Sequence, residues 1–329
     1  MNKKWKNFLN SWIRTIKKND RILIGTHIDP DSDGICAALC GAALVEHFTR
    51  TKPQLYCQSV VPSKHSFLMD GRAFLNRLPA FDLLIAVDSA GIDRVIPEDH
   101  FKKIPWKHKT IINIDHHRSN DGFGDVNYVD EKASSACEII YRMFKDLKVP
   151  ITSKTAGIFY SGIYIETGGF AYPNTTNSVF AVVSDLVSRG VQPSTLVKNL
   201  HGRTLQGTRL LSAVLDTIKI KKGIGVMHLS LVMLAETGAR MSDSEHFLSF
   251  LQAITDVHVS VFLREEKRGT RVSLRSDGLV DVNEVARRFG GGGHRMAAGM
   301  RMPQKMTIAQ KLVLAEISRH LNADRPRRK

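Results

Sequence analysis

At 329 residues with 43% hydrophobic content, the chain can bury more than one core, which excludes disorder as its general state and suggests two domains. Its 47 Lys and Arg against 32 Asp and Glu leave a formal net charge of +15, which favours polyanionic partners such as nucleic acid, nucleotides or anionic surfaces without choosing among them. No apolar run approaches the ~18 residues of a membrane span, and Cys36, Cys40, Cys57 and Cys137 form no CxxC pair, so reduced thiols in a cytoplasmic protein without a secretory leader are expected.

The N-terminal segment sets Trp5, Phe8, Leu9, Trp12, Ile13 and Ile16 at helical spacing among Lys3, Lys4, Lys6, Arg14, Lys17 and Lys18. This pattern predicts a helix docked on the first domain with a solvated basic face. From Arg21 to about Asp146, strand-like runs at 21–26, 54–60, 82–87 and 110–114 alternate with helical patterns, which favours an α/β fold built on a parallel sheet with helices on both faces. Gly34–Phe48 reads as a helix with Asp33 as N-cap, and Ser134–Leu147 as a helix opened by Ser134 or Ser135. Cys36 and Cys40 share a face of the first of these, where core packing is their expected role. Helices follow at 155–165, 176–189, 193–200 and 204–218. A second alternation has strands near 225–231, 258–264 and 271–275, a helix at 282–289 and a last helix at 307–321. The expected division is a metal domain over 1–190, a helical linker over 191–218, a smaller C-terminal α/β domain across a cleft over 219–323, and a disordered basic tail over 324–329.

Polar residues gather where the predicted strands end, and in open α/β sheets ligands bind beyond those ends. His27, Asp31 and Asp33 follow the first strand, Asp88 follows the run ending at Val87, and Asp115-His116-His117 follows Ile111-Ile112-Asn113-Ile114. Singly, such an Asp is often a turn former or cap and such a His a satisfied core or surface residue. Together with Glu166 they bring four carboxylates besides Asp115, and an unneutralised cluster of that kind would repel itself. Oxygen and imidazole donors without thiolate suit Mn²⁺ or Mg²⁺, and two such ions ~3.5–4 Å apart can clamp the attacking and leaving oxygens of a phosphoryl displacement. By position, His27 and Asp31 hold one ion, Asp33, His116 and Glu166 the other, and Asp88 bridges them. His117 and Arg118 are then placed to donate to the scissile phosphate, with Asp115 orienting a neighbouring histidine.

The segments HIDPDSDG, AVDSA, IDHHRSN, YSGIYIETGGF and RRFGGGGHRMAAG occur in the order found in the DHH phosphoesterase superfamily, which the chain resembles from about Arg21 to Leu321. The last segment is similar to the DHH-associated C-terminal domain of the nanoRNase type, the oligoribonuclease and pAp-phosphatase family. Family II pyrophosphatases and prune-like exopolyphosphatases share the metal motifs with a different C-terminal domain, and RecJ-like exonucleases carry further domains. The resemblance implies a Mn²⁺-dependent phosphoesterase that releases 5′-mononucleotides from short RNA or DNA oligonucleotides and also acts on pAp. Where the family reads Asp-Thr-Gly, this chain reads Glu166-Thr167-Gly168, and the extra methylene moves the carboxylate outward.

Gly290, Gly291, Gly292 and Gly293 lack a Cβ, so their backbone can approach a ligand and present N–H groups to an anion, with His294 and Arg295 at the exit. Arg264 and Arg275 are expected to bind a terminal phosphate or stack on a base, with Ser273 and Ser276 on the same surface. One domain would hold the scissile phosphate and the other the far part of a short substrate. Two further readings stay open: a phosphodiesterase of cyclic or linear dinucleotides, and a nucleotide- or RNA-binding module whose metal site has decayed. A homodimer is an assembly the sequence leaves open.

Overall fold

In the computed structural model, which describes residues 2–49, 51–69 and 71–323, the chain divides between Gly202 and Arg203 into two units. The tail expected at 324–329 lies outside the described residues.

The first unit runs α1 (Lys3–Ile16), β1 (Ile22–Gly25), α2 (Ser32–Phe48), β2 (Gln54–Tyr56), β3 (Phe74–Leu75), β4 (Leu83–Val87), α3 (Ile92–Val95), α4 (Glu98–Phe101), β5 (Thr110–Asp115), β6 (Val126–Val129), α5 (Ala136–Asp146), α6 (Ser153–Glu166), α7 (Asn177–Ser188) and α8 (Pro193–His201). Its six strands form one sheet in the order β3-β2-β1-β4-β5-β6, and every pairing is parallel. β1 and β4 are buried along their whole length, so they read as unbroken apolar runs, the signature of strands covered on both faces. Ile22 and Ile24 enter a core shared with α1, α2, α5, α6 and α7, whereas Leu23 faces a second core with Val95, Ile96 and Trp106. From β1 the chain moves outward to β2 and β3, then returns to place β4 on the other side. The order of strands therefore reverses beside β1, and that is where an open parallel sheet leaves a crevice.

α1 docks as expected: Trp5, Phe8, Leu9, Trp12 and Ile16 are buried, and Trp5 Nε1 donates to Asp146 Oδ2 at 2.6 Å. The cap of α2 differs from the expectation. Asp31, not Asp33, has extended backbone (φ −94°, ψ −171°), and its Oδ1 accepts from the N–H of Asp33 at 3.0 Å and of Gly34 at 3.2 Å. The loop delivers an acceptor to the helix end from Asp31, which leaves the Asp33 carboxylate, already in the first turn, for another partner.

The second unit runs α9 (Leu205–Leu215), β7 (Lys219–Lys221), β8 (Ile224–Leu229), α10 (Leu231–Thr237), α11 (Leu248–Gln252), β9 (Val259–Glu266), β10 (Gly269–Ser276), α12 (Val282–Arg287), β11 (Gly292–His294), β12 (Ala297–Met302) and α13 (Met306–Ala323). The six strands lie in the order β11-β12-β10-β9-β8-β7, antiparallel except for β8 beside β9. β10 alternates strictly: Val272 and Leu274 enter the core with α12 and α13, and Arg271, Ser273 and Arg275 take the other face. The segment expected as a linker is helical, with one helix in each unit. Leu196 and Val197 of α8 pack on the first core, and Leu210, Leu211 and Val214 of α9 pack with Met227, Leu229 and Phe262 in the second unit.

Candidate metal centre

Three neighbouring strands deliver the polar cluster of the first unit. His27 follows β1, Asp88 follows β4, and Asp115 ends β5 immediately before His116 and His117. His27 Nδ1 donates to the carbonyl of Ile28 at 2.9 Å, which turns Nε2 toward Asp31 Oδ1 at 3.8 Å and Asp88 Oδ2 at 3.6 Å. His116 Nε2 lies 3.3 Å from Asp88 Oδ1 and 3.8 Å from Asp33 Oδ2. His117 Nδ1 donates to Asp115 Oδ1 at 2.7 Å and stands 3.8 Å from Asp88 Oδ1. Asp88 is thus the residue to which all three imidazoles turn. Among the described residues, His27, Asp31 and Asp88 form one group of close donor atoms, and Asp88, Asp115, His116 and His117 another.

Local backbone explains how Asp88 reaches this position. Its φ is 53°, in the left-handed region, and its N–H donates to the carbonyl of Ile114 at 3.0 Å. Asp88 Oδ1 is buried and, with His116 Nε2 3.3 Å away, accepts no well-aligned hydrogen bond among the described residues, a condition expensive for a carboxylate unless a cation meets it. Gly34 is required by the same crowding, because a Cβ there would collide with Thr26 Oγ1 and stand 3.2 Å from Asp88 Oδ2.

Asp33 is held by the start of α5. Its Oδ2 accepts from the N–H of Ala136 at 2.7 Å and its Oδ1 from that of Cys137 at 3.0 Å, the unpaired donors of a helix N-terminus. Glu166 is the last residue of α6 and, among the described residues, joins no group of close donors, although its charge bears on His116. Asp115 Oδ2 accepts from Asn120 Nδ2 at 2.7 Å, and the same amide donates to the carbonyl of Ser89 at 2.9 Å, so Asn120 joins the loops after β4 and β5. Sequence reasoning passed over Asn120, although it closes the IDHHRSN segment. Arg118 is exposed, with its Nε 3.9 Å from Glu131 Oε2.

Electrostatics separates the acids into two classes. Burial works against charge on Asp88, yet the rings of His116, His27 and His117 hold it well below the usual carboxylate range. Burial pushes Asp33 up to about 7, helped by the charge of Asp88, and it pushes Glu166 well above its ordinary value, helped by Asp31. Burial disfavours charge on His27 and His116 too, but Asp31 and Asp88 at His27, and chiefly Asp88 at His116, outweigh it and raise both well above 6.5. The metal-free centre therefore holds protons where cations would compete for the same lone pairs. Its imidazole and carboxylate donors, free of thiolate, fit a hard divalent cation such as Mn²⁺ or Mg²⁺.

In the second unit, Arg264 is buried and its Nη2 donates to Ser273 Oγ at 2.6 Å, with the guanidinium 5.1 Å from the Phe262 ring. Its Nε has no hydrogen-bond partner among the described residues, and burial together with Arg271 pushes the group down to about 9. β-Pairing sets Arg271 opposite both Arg264 and Arg301, so positive charges face one another across three strands. Arg275 Nη1 is turned back to the carbonyl of Leu274 at 3.0 Å. Ser276 serves the turn instead of a ligand surface: its hydroxyl accepts from the N–H of Gly278 at 3.0 Å and of Val280 at 3.2 Å.

The four glycines serve different needs. Gly290 has φ 75°, and a Cβ on Gly291 or Gly293 would collide with the carbonyl of Gly299 or Ala297 on β12. A Cβ on Gly290 would meet nothing within 4 Å, and at Gly292 the nearest atom would be Asn283 Oδ1 at 3.8 Å, so Gly292 has neither the positive φ of Gly290 nor the close packing of Gly291 and Gly293. His294 ends β11.

Residues 21–163 match the DHH family, N-terminal domain, and residues 223–322 match the DHHA1 domain. The chain is 32% identical over 283 residues to the bifunctional oligoribonuclease and PAP phosphatase NrnA of Thermus thermophilus, covering 84% of this chain and 83% of that protein. It is 28% identical to the protein of the same name from Bacillus subtilis, over 87% of this chain and 91% of that one. A crystal structure of an exopolyphosphatase-related protein from Bacteroides fragilis superposes with a TM-score of 0.87 at 22% identity, covering 97% of each chain.

Proposed function

The chain belongs to the DHH family of phosphoesterases, in the branch with a DHHA1 domain, and from that premise we propose that it is a divalent-metal-dependent hydrolase of short oligonucleotides that also dephosphorylates pAp. The observation that carries this reading is the convergence of three imidazoles on buried Asp88, His27 on its Oδ2 and His116 and His117 on its Oδ1.

His27 and Asp31 would hold one cation, Asp33, His116 and Glu166 a second, with Asp88 shared, and Mn²⁺ is the proposed ion. Bound there, the cations supply Lewis-acid polarisation of the phosphoryl oxygens and a water acidic enough to attack at neutral pH. His117 keeps one ring orientation through Asp115, so as an imidazolium it can present an Nε2–H donor to the phosphate oxygens, and exposed Arg118 can close on the same group. The crevice beside β1 lies beyond the carboxyl ends of the strands, where a phosphodiester can enter end-on.

The second unit is proposed to bind a phosphate group of its own. A buried guanidinium facing other arginines and meeting no carboxylate among the described residues calls for an anion, and a substrate phosphate supplies one. Arg264 and Arg275 with the backbone at Gly290–His294 are its proposed binding residues. Short RNA, DNA and pAp present the same chemistry, a phosphate near a free nucleotide end.

Turnover on a panel of pAp, linear and cyclic dinucleotides, five-mers and long RNA and DNA, with Mn²⁺ and then Mg²⁺, tests the reading. Mononucleotide release from dinucleotides and five-mers, phosphate release from pAp, and slow attack on long strands are expected. Oligonucleotide binding with no metal-stimulated turnover on any member would overturn it.

A further inference from the structure

Two of the proposed ligands depend on pieces of backbone far apart in sequence, and one side-chain amide joins them. Asn174 Nδ2 donates to the carbonyl of Glu166 at 3.1 Å and to the carbonyl of Ser134 at 3.1 Å. The first carbonyl belongs to the last turn of α6, where helix carbonyls lack intrahelical donors. The second lies just before α5, whose first N–H groups hold Asp33.

Ser134 is fixed from its other side as well. Its N–H and hydroxyl both donate to Glu138 Oε2, at 2.8 and 2.7 Å, and Ser178 Oγ donates to Glu138 Oε1 at 2.9 Å. The buried Glu138 carboxylate therefore ties α7, the start of α5 and the Asn174 loop into one network. The chain reaches Asn174 through Gly168 and Gly169, at φ 58° and 70°, followed by Phe170 at φ 69°. Phe170 is a bulky residue in the left-handed region, an unfavourable conformation kept only where surroundings enforce it. Asn174 Oδ1 is itself buried, without a hydrogen-bond partner among the described residues. An amide with one end unsatisfied and a strained approach is a poor choice for stability alone, and both features make sense if the position of its donors is what matters.

We infer that Asn174 is a positioning residue for the metal centre: its two hydrogen bonds lock the end of α6 that bears Glu166 to the loop that presents the Asp33-binding turn of α5, and Glu138 with Ser178 braces that loop. The inference rests on the reading of Asp33 and Glu166 as ligands. Asn cannot be replaced by Asp here, because a carboxylate would face two carbonyl oxygens with no proton to give.

Calorimetric titration of the full chain with Mn²⁺ tests this directly, with melting of the metal-free protein as a second reading. Asn174→Ala and Asn174→Asp should weaken Mn²⁺ binding by about 10- to 100-fold, the usual effect of losing a partner that orients a ligand. Ser178→Ala, which removes only the outermost brace, should weaken it by less and stands in if the Asn174 variants do not fold. Unchanged Mn²⁺ affinity in folded Asn174→Ala, or in Ser178→Ala when it must stand in, overturns the inference. Glu166→Ala separates the two layers: if it weakens Mn²⁺ binding while Asn174→Ala does not, only the positioning role fails. If Glu166→Ala itself leaves affinity unchanged, Glu166 is no ligand and the inference falls with that reading.

Discussion

Asp88 carries a conformation that Asp tolerates and most residues resist. A non-glycine residue at φ 53° costs on the order of 1–3 kcal/mol, and here the strain turns one carboxylate toward three imidazoles. Asparagine accepts the same backbone region and the same space, so Asp88→Asn should fold. It should lose turnover by about a hundredfold or more, because its amide supplies neither the charge nor the second anionic oxygen that two cations would share. Mn²⁺ affinity should drop with it, and full affinity in this variant would remove Asp88 from its proposed place. The strain is invisible in sequence, where Asp88 reads only as an acid after an apolar run.

At the scale of elements, the glycine run divides into backbone that must pack and backbone that need not. Gly293→Ala would drive a methyl into the Ala297 carbonyl at φ 148°, and it should lower the melting temperature by several degrees, about 1 kcal/mol or more. Gly292→Ala meets only Asn283 Oδ1, at an ordinary contact distance of 3.8 Å, and should melt normally. If the loop approaches a ligand, Gly292→Ala should still raise KM for a dinucleotide severalfold. Equal melting and equal KM in both variants would reduce the run to a turn. What could be read beforehand follows the same physics. β1, β4 and β5 were legible because strands buried on both faces are largely apolar runs, each running into a proposed ligand. β12 was not, since Ala297-Ala298-Gly299 has weak strand character and is organised by pairing with β10. Asp31 and Asp33 are the same residue type two positions apart, and only the arrival of α5 at Asp33 decides which one caps α2. Asn120 and Asn174 escaped notice because their partners Ser89 and Ser134 lie 31 and 40 residues away.

For the whole molecule, the centre couples protonation to folding when metal is absent. The Asp33 carboxyl titrates near 7 in the folded chain against 3.8 ordinarily, so between those values the folded state keeps a proton that the unfolded chain releases. Stability from this group must fall as pH rises across that window. Glu166, raised from 4.5, acts with the same sign, and His27 and His116, raised from 6.5, add to it at higher pH. Asp88, held low, contributes stability that is lost only on acidification below its ordinary range. Urea melts of the EDTA-treated protein at about pH 4.5 and 7.5 should show the fall, and Asp33→Asn, which cannot ionise, should show a smaller one. An equal fall in both proteins would detach Asp33 from the effect.

Asp31 closes the first turn of α2 with the same carboxylate that is proposed to hold an ion. Whatever steadies that carboxylate also steadies the amides of Asp33 and Gly34, so occupancy of the centre is written into solvent exchange at two backbone protons. Slower hydrogen–deuterium exchange at the start of α2 on adding Mn²⁺, with no nucleotide present, is the expected signal, and unchanged exchange there would separate the helix cap from the ion. The helix thereby acts as its own gauge of metal loading, readable before any bond is cleaved.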